Sequence, residues 1–232
     1  MKIAIMQPYF LPYIGYFQLI NAVDKFVFLD NVNFIKKGWI NRNRLRIQEK
    51  EWLFSVPCKD LSQNKKICEI EVNWNTNFTE KFLKTLKINY NKAPFYQSVF
   101  DLVNKILSFK HKTISQLAIN SILEFCNYLD LQKEFIVAST KENYSQDLKS
   151  ADRLIDIAYK ENSSTYINAI GGVKLYDKAY FKQKSIDLYF LKTKLNENYD
   201  KNHYISFFSI IDLAMYNSPD EIRNYLEQYE LI

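Results

Sequence analysis

Apolar and polar positions follow two different periods along the chain, and the order of these periods predicts an α/β fold. A short apolar strand at residues 3–6 leads through a loop to a helix-like run at 15–22 and a second apolar strand at 25–29. Strand, loop, helix and strand in this order are typical of a parallel sheet. We therefore expect a mostly parallel sheet flanked by helices.

The period changes to that of a helix after residue 77. Phe78, Phe82 and Leu86 recur four residues apart, a second helical run follows the break at Pro94, and a Thr113–Gln116 capping box opens a third. Three helices without an intervening strand predict a helical insertion at about residues 77–130. The insertion lies within a single predicted domain that spans residues 1–232.

Strands are predicted on both sides of this insertion. Residues 52–56 and 66–72 precede it, and the second is expected because Cys68, Ile70 and Val72 alternate with two glutamates. After it, strands are predicted at 134–138, 165–169 and 186–191, and helices at 149–161 and 177–184. Ser218, Pro219 and a glutamate two residues further on mark the start of the last helix.

Composition and charge narrow the classes of function. The 232 residues are 47% hydrophobic, which is enough for a full core, and 31 basic against 26 acidic residues give a net charge of +5. This mild surplus favours a small anionic ligand over nucleic acid. No apolar run reaches the length of a membrane span, and no secretory segment is recognised. Three cysteines without metal spacing favour the reduced cytoplasm.

Conventional catalytic motifs are missing from the sequence. It has two histidines, His111 and His203, and it has no Gly-x-Ser-x-Gly, no Walker loop and no Gly-x-Gly-x-x-Gly. No metal site is predicted. Four glycines are few for this length, so each is expected to mark a constraint on the backbone.

Two polar residues are placed where ligands bind parallel sheets, beyond the carboxyl ends of strands. Gln7 follows the first predicted strand and Asp30 follows the second. We assign both as candidate catalytic residues, with Asp30 as a general base or as the group that orients the substrate. The alternative for Asp30 is a helix cap or an ion pair with a nearby basic residue.

The loop at residues 7–15 leads into a helix N-terminus, where unpaired N–H groups favour an anion. Gly15 would allow a ligand phosphate to approach, and Tyr13 is a candidate contact. The alternative is that Pro8 and Pro12 only shape a turn, and that the aromatic side chains belong to the core.

A segment rich in cations follows Asp30 and surrounds a tryptophan with amides. Arginine offers paired donors to phosphate, and asparagine recognises amides or sugar hydroxyls. If the segment is extended, Arg42 and Arg44 share one face while Asn41 and Asn43 share the other. The candidate substrate-binding residues here are Lys36, Trp39, Asn41, Arg42, Asn43 and Arg44.

Two further groups of candidate residues lie in the second half of the chain. Gly171 and Gly172 follow a predicted strand, where they form either a tight turn or a second backbone cradle for an anion. Ser209 and Asp212 are three residues apart at a helix start, where they form either a capping pair or part of the substrate site.

At these residues the chain resembles the WbqC-like family, whose N-terminal signature is Gln-Pro-x-x-x-Pro-x-x-Gly-Tyr-Phe, then an Asp and Lys-x-x-Trp-x-Asn-Arg-Asn. The matching residues are Gln7, Pro8, Pro12, Gly15, Tyr16, Phe17, Asp30, Lys36, Trp39, Asn41, Arg42 and Asn43. A looser match extends through Gly171-Gly172 to Ser209 and Asp212, so the resemblance covers essentially the whole chain. Met6 stands where members often have His, and residues 199–201 depart from a Tyr-x-Gln motif.

The resemblance implies a role in the biosynthesis of surface polysaccharides such as O-antigen, and of modified amino sugars. We expect a cytoplasmic transferase that attaches an acyl or aminoacyl group to a nucleotide-linked amino sugar. ATP and coenzyme A are the candidate cofactors, and the sequence does not choose between them. The aromatic-rich composition is compatible with a homodimer.

Two alternatives to this function remain open. One is an ATP-dependent amide ligase of nucleotidyltransferase-like fold, by analogy of fold alone. In those enzymes the equivalent loop carries His-x-Gly-His, whereas this chain has Tyr13-Ile14-Gly15-Tyr16. The other is a non-catalytic sugar-nucleotide-binding or scaffold protein.

Overall fold

A six-stranded sheet forms the centre of the part of the chain that this computed structural model describes, residues 1–48, 50–194 and 207–232. Its strands are β1 (Lys2–Met6), β2 (Lys25–Phe28), β5 (Glu134–Val137), β6 (Thr165–Ala169), β7 (Asp187–Thr193) and β8 (Tyr229–Leu231). A separate antiparallel hairpin joins β3 (Arg42–Ile47) to β4 (Lys50–Ser55).

Helices connect these strands. They are α1 (Ile14–Asn21), α2 (Phe78–Tyr90), α3 (Tyr96–Ser108), α4 (Ile114–Tyr128), α5 (Ser150–Lys160), α6 (Lys178–Gln183), α7 (Ile210–Tyr216) and α8 (Pro219–Leu226). α2, α3 and α4 follow one another between β4 and β5, and α3 packs against both of its neighbours. No helix in these described ranges is long and apolar enough to cross a bilayer.

The sheet is mostly parallel, which confirms the predicted α/β fold. The strand order is β5-β2-β1-β6-β7-β8, and only the β7–β8 pair is antiparallel. From β1 the chain builds outwards on one side through β2 and β5, and it then returns to the other side of β1 with β6. A crevice forms at such a switch point, because the loops after β1 and β6 leave in opposite directions.

Successive residues of the central strands face two different layers. In β1, Ala4 joins the larger core with α1, α4, α7 and α8, whereas Ile3 and Ile5 join a smaller core with α5 and α6. In β2, Phe26 and Phe28 face the first layer and Val27 faces the second. This burial on both sides is why the two strands read as continuous apolar runs.

The predicted helix starts are confirmed in detail. Thr113 caps α4 and forms a reciprocal capping box with Gln116, and Ser218 does the same with Glu221 ahead of α8. Pro219 occupies the first turn of α8, where its missing N–H group costs no hydrogen bond.

The predicted strand at residues 66–72 is wrong. A 3-10 turn spans Ile67–Glu69, and the flanking residues make isolated bridges to other segments. Ile67 and Ile70 are both fully buried, and their spacing of three residues suits a turn rather than a strand of period two. The alternation with Glu69 and Glu71 therefore indicated the wrong period.

A buried ion pair links α5 to the amino end of the sheet. Glu161, which is 7% exposed, accepts hydrogen bonds from the Tyr144 hydroxyl at 2.7 Å and from Lys25 Nζ at 3.0 Å. Burial by itself opposes ionisation of this carboxyl. The bonds from Tyr144 and Lys25 outweigh it, and they hold the pKa of Glu161 below its usual range.

Glu161→Gln will lower the free energy of unfolding by about 1–3 kcal/mol at neutral pH, because a neutral amide replaces a carboxylate that receives two hydrogen bonds. The pKa of Glu161 is lower in the folded state than in the unfolded state. Its contribution is therefore present above the unfolded pKa and is lost as the pH falls through the folded pKa. Urea unfolding will show the two proteins converging in acid, whereas exposed Glu142→Gln will show no comparable change.

Candidate functional site

The loop between β1 and α1 is fixed by an unusual backbone conformation at Leu11. This residue has a φ of 49°, in the left-handed region that costs a residue with a side chain about 1–2 kcal/mol. Its carbonyl accepts hydrogen bonds from Asn43 Nδ2 at 2.6 Å and Ser209 Oγ at 2.8 Å, and its N–H donates to Ser121 Oγ at 3.1 Å. Asn43 and Ser209, both candidate binding residues, therefore support this loop.

Backbone hydrogen bonds join the same loop to its neighbours. Phe10 N–H donates to the Ile40 carbonyl at 3.0 Å, and Ile210 N–H donates to the Pro12 carbonyl at 2.9 Å. Ser209 N–H donates to the Arg44 carbonyl at 2.9 Å, which ties β3 to the start of α7. The loop, the hairpin and α7 consequently form one hydrogen-bonded unit beyond the carboxyl ends of β1 and β6.

A cavity of about 270 Å³ lies at this switch point and is called here the aromatic cavity. Its lining residues are Met6, Tyr9, Pro12, Tyr13, Trp39, Asn43, Arg44, Ala169, Ile170, Gly171 and Phe207. Tyr13, Trp39, Asn43, Arg44 and Gly171 were all predicted from the sequence as substrate-binding residues. The structure thus brings together candidates from three distant parts of the chain.

Two arginines hold Trp39 in this cavity. Strand β3 is extended, and the guanidinium carbons of Arg42 and Arg44 lie 5.5 and 4.8 Å from the centre of the Trp39 ring. Arg42 also donates to the carbonyls of Lys37 and Gly38, and Arg44 forms an ion pair with Glu51 at 2.6 Å. Arg42 thereby fixes the turn that carries Trp39, and the exposed pair of Arg44 leaves its charge near the cavity.

The two tyrosines of the aromatic cavity are neutral hydrogen-bonding groups. Burial, together with the neighbouring Tyr13 phenol, raises the pKa of Tyr9 to about 12, and burial also raises the pKa of Tyr13. Neither phenol carries a charge near neutral pH. The cavity therefore offers aromatic faces, two phenol hydroxyls and the positive charge of Arg44.

The glycines of the site serve different steric purposes. A Cβ at Gly15 would lie 2.4 Å from the Tyr13 ring, so Gly15 gives room to that ring, which fills the space expected for a phosphate. A Cβ at Gly172 would lie 2.4 Å from Asn168 Nδ2 and 3.2 Å from the Phe190 ring. A Cβ at Gly171 would meet no atom within 4 Å.

Gln7 lies next to Met6 but lines a different cavity. It faces a groove of about 460 Å³ between the ends of β1 and β2 and the start of α5. Successive residues of a strand point to opposite faces, which separates Gln7 from the aromatic cavity. The structure therefore does not place Gln7 beside Trp39.

Asp30 lines a third cavity, of about 550 Å³, between the ends of β2 and β5 and helix α4. Its carboxylate, 1% exposed, accepts hydrogen bonds from Ser115 Oγ at 2.7 Å and from the Ser139 N–H and hydroxyl at 2.9 and 2.8 Å. His111 Nε2 and Asn120 Nδ2, also from this cavity, are buried without a partner in the described part of the chain. Asp30 thus joins three elements beside two unsatisfied polar atoms.

The remaining candidates have structural contacts or lie at the surface. Asn41 bonds to the Val56 carbonyl at 3.0 Å, and Lys36 is exposed. Ser209 caps α7 through the N–H of Ile211, whereas the Asp212 carboxylate accepts from the Tyr90 hydroxyl at 2.6 Å. Ser209 and Asp212 therefore do not form a reciprocal side-chain pair.

The thiol and the imidazole that line the cavity of Asp30 have shifted pKa values. Burial, then the nearby Asp30 and Glu69 carboxylates, raises the pKa of the Cys68 thiol, and burial lowers the pKa of His111. No group of three or more His, Cys, Asp or Glu residues could hold a metal ion within residues 1–48, 50–194 and 207–232. His203 and the departing motif at residues 199–201 lie outside these ranges.

The sequence did not single out several residues that line these cavities. Tyr9, Ile170 and Phe207 complete the aromatic cavity, and Lys149 and Arg153 line the groove of Gln7. A basic residue in the first turns of a helix that follows a strand is a signal that could have identified Arg153. Phe207 had no comparable signal, because its position depends on how α7 packs against the hairpin.

The chain belongs to the WbqC-like protein family, whose model matches residues 7–224. This confirms the predicted resemblance. The chain is also similar to a Mycobacterium tuberculosis protein named "Uncharacterized protein Rv1507c", with 26% identity over 233 residues and coverage of 97% of each chain. No solved structure matches the chain described here.

Gly171→Ala and Gly172→Ala will show at which of the two positions the structure has no room for a Cβ. Neither residue has a positive φ, so only space decides the outcome. Gly172→Ala will cost about 1–3 kcal/mol, because its Cβ overlaps Asn168 and presses on Phe190. Gly171→Ala will change the free energy of unfolding by less than about 0.5 kcal/mol. Equal losses in thermal unfolding would contradict the open space at Gly171.

Proposed function

We propose that this protein is a transferase of surface-polysaccharide and modified amino-sugar biosynthesis. It attaches an acyl or aminoacyl group to a nucleotide-linked amino sugar. The observation that supports this best is the aromatic cavity at the switch point, where Trp39, Tyr9 and Tyr13 surround a space of about 270 Å³. Sheets of this kind bind nucleotides and related ligands at the same place.

The size and lining of the cavity suit one ring of such a substrate. Pockets that bind whole drug-sized ligands measure about 300–1,000 Å³. A cavity of about 270 Å³ would therefore hold a base or a sugar while the rest of the substrate extends outside. Trp39 would stack on the ring, and Arg44 would face its polar edge. Gly171 would allow the ligand to lie against the backbone after β6, because no protein atom occupies that space.

Acyl transfer to an amine requires the site to position two reacting groups and to remove one proton. The amine nitrogen attacks the acyl carbon, the new N–C bond forms, and the bond to sulfur or to phosphate oxygen breaks. The amine then gives up one proton to a base. Gln7 could hold the acyl oxygen or the amine, because its amide both donates and accepts hydrogen bonds.

Asp30 supports two roles in this reaction. As a base it would take the proton of the amine, and as an orienting residue it would hold Ser115 and Ser139 at the edge of its cavity. The orienting role has better support, since each carboxylate oxygen already accepts a hydrogen bond from the protein.

An ATP-dependent amide ligase is the second candidate. It is favoured by the strand order: counted among the parallel strands alone, β5-β2-β1-β6-β7 reads 3-2-1-4-5, the order of doubly wound nucleotide-binding sheets. In this reaction the carboxylate would attack the α-phosphorus of ATP and release pyrophosphate. The amine would then attack the carbonyl carbon of the acyl adenylate and release AMP and a proton. Tyr13 and Tyr16 stand where nucleotidyltransferases of this type carry histidines, so this chain would need other groups to bind the phosphates.

Trp39 reports on occupancy of the aromatic cavity. A UDP-linked amino sugar with a free amine will quench the tryptophan fluorescence of the wild type, and Trp39→Phe will not show this quenching. Calorimetry will show that Trp39→Phe binds the ligand at least about tenfold more weakly. Gly171→Val, which places a branched side chain at the edge of the cavity, will also weaken binding. Trp52→Phe is the matched control, because Trp52 packs against Phe54 and Phe82 and not in the cavity. Unchanged affinity in Trp39→Phe would contradict the proposed binding site.

Asp30→Asn will distinguish the two roles of Asp30. The amide keeps the shape of the carboxylate, so we expect turnover to fall by less than about tenfold, with a loss of about 1–3 kcal/mol in stability. Turnover is measured as acylated sugar nucleotide by mass spectrometry, with acyl-coenzyme A or with ATP and an amino acid as the donor. A loss of about 100-fold or more at unchanged substrate affinity would instead identify Asp30 as the base.

A further inference from the structure

The groove that contains Gln7 is a second, chemically different cavity at the carboxyl edge of the sheet. It lies between the ends of β1 and β2 and the start of α5, and it shares no lining residue with the aromatic cavity. Its volume of about 460 Å³ is larger than that of the aromatic cavity. We call it the cationic groove and define it by Gln7, Asn31, Lys66, Lys149, Arg153 and Tyr176.

The charges of this groove are all positive. Lys66, Lys149 and Arg153 line it, and none of its lining residues is acidic. The net charge of the whole chain is only +5, from 31 basic and 26 acidic residues, so three cations with no acidic residue in the same lining are a local concentration. The carboxylate that acts on Arg153 is that of Asp156, which lies on α5 outside the lining. Cations that converge on one concave surface repel one another unless an anion is bound between them.

Arg153 has a fixed orientation and still has N–H donors without a hydrogen-bond partner among the described residues. One terminal nitrogen of its guanidinium donates to Asn31 Oδ1 at 2.5 Å, which fixes its orientation. Its Nε is buried and has no hydrogen-bond partner among the described residues. A buried donor without a partner is costly, and a ligand oxyanion would remove that cost.

The two lysines complete a set of donors around the groove. Lys66 Nζ donates to Gln146 at 2.8 Å, which leaves its other hydrogens available. Lys149 forms no side-chain hydrogen bond or ion pair with any described residue, and it directly precedes α5. The donors are thus a fork-shaped guanidinium and two ammonium groups, a combination that suits phosphate oxygens.

We propose that the cationic groove binds the phosphate groups of a nucleotide, as an anion site separate from the aromatic cavity. A volume of about 460 Å³ accommodates a diphosphate, and the N–H groups of Arg153, Lys66 and Lys149 can donate to its bridging and terminal oxygens. The buried Asn31 amide positions Arg153, because its Oδ1 accepts from the guanidinium and its Nδ2 donates to the Ala138 carbonyl at 3.1 Å. The diphosphate belongs either to the nucleotide-linked sugar or to a phosphate-bearing donor. Both share the chemistry that the groove recognises.

Inorganic pyrophosphate tests the groove without reference to any reaction. Calorimetry will show that the wild type binds it, and that Lys149→Gln weakens the binding at least about tenfold, because a charge-assisted hydrogen bond is lost. Exposed Lys84→Gln makes the same change in net charge outside the groove, and it will stay within about twofold of the wild type. Lys149 is exposed, so thermal unfolding of its variant will match the wild type.

Further variants separate this proposal from the proposed function. Arg153→Lys keeps the charge but removes the Nε donor, and it will also weaken pyrophosphate binding. Trp39→Phe will leave pyrophosphate binding unchanged, whatever its effect on sugar nucleotides. A wild type that does not bind pyrophosphate at millimolar concentration, or equal effects of Lys149→Gln and Lys84→Gln, would overturn the anion site.

Full ligands then identify the source of the phosphate. If the diphosphate of a UDP-linked amino sugar occupies the groove, Lys149→Gln will weaken the binding of that sugar nucleotide. If the phosphates of the donor occupy the groove, Lys149→Gln will weaken the binding of ATP or coenzyme A. Either result supports the groove as a nucleotide-phosphate site. If the wild type binds these ligands and Lys149→Gln weakens the binding of none of them, the proposal for the groove is wrong. That result would leave the transferase proposal standing wherever the Trp39→Phe result supports it.

Discussion

The carbonyl of Leu11 is the group on which the arrangement of the aromatic cavity depends. It is buried in a left-handed backbone conformation, and Asn43 from β3 and Ser209 from the start of α7 both donate to it. These two bonds offset the local strain and join three segments that are far apart in sequence. Together with the backbone bonds between the same segments, they hold the loop, β3 and α7 around the cavity that Tyr13 and Trp39 line.

The end of β1 divides the carboxyl edge of the sheet into two environments. Met6 lines an aromatic cavity whose lining contains one cation, Arg44, whereas Gln7 lines a groove with three cations. Because side chains of a strand alternate, neighbouring residues separate an apolar environment from a charged one by the width of a single strand. Such a division suits a substrate or a pair of substrates that combine a ring with phosphate groups.

Much of the fold could be predicted because its signals are local. The apolar strands, the capping boxes at Thr113 and Ser218, and the helical period after residue 77 each depend on residues within one or two turns. The strand predicted at residues 66–72 failed, because Ile67 and Ile70 are buried by contacts with other segments. Of the residues that line the aromatic cavity, the sequence had named Tyr13, Trp39, Asn43, Arg44 and Gly171 as candidates. Arg42, a candidate for binding phosphate, donates to the carbonyls of Lys37 and Gly38 in this structure.

The sequence by itself determined the α/β class, the family and five of the eleven residues that line the aromatic cavity, because strand ends and short motifs depend on residues that are neighbours in the chain. Only the tertiary structure decided which of these residues share a cavity. Gln7 and Asp30 both follow parallel strands, yet they line different cavities, and Arg153 enters the groove from a helix more than 120 residues later. Strand order and helix packing decide which residues come together in a cavity. Both depend on long-range burial that no local sequence pattern specifies.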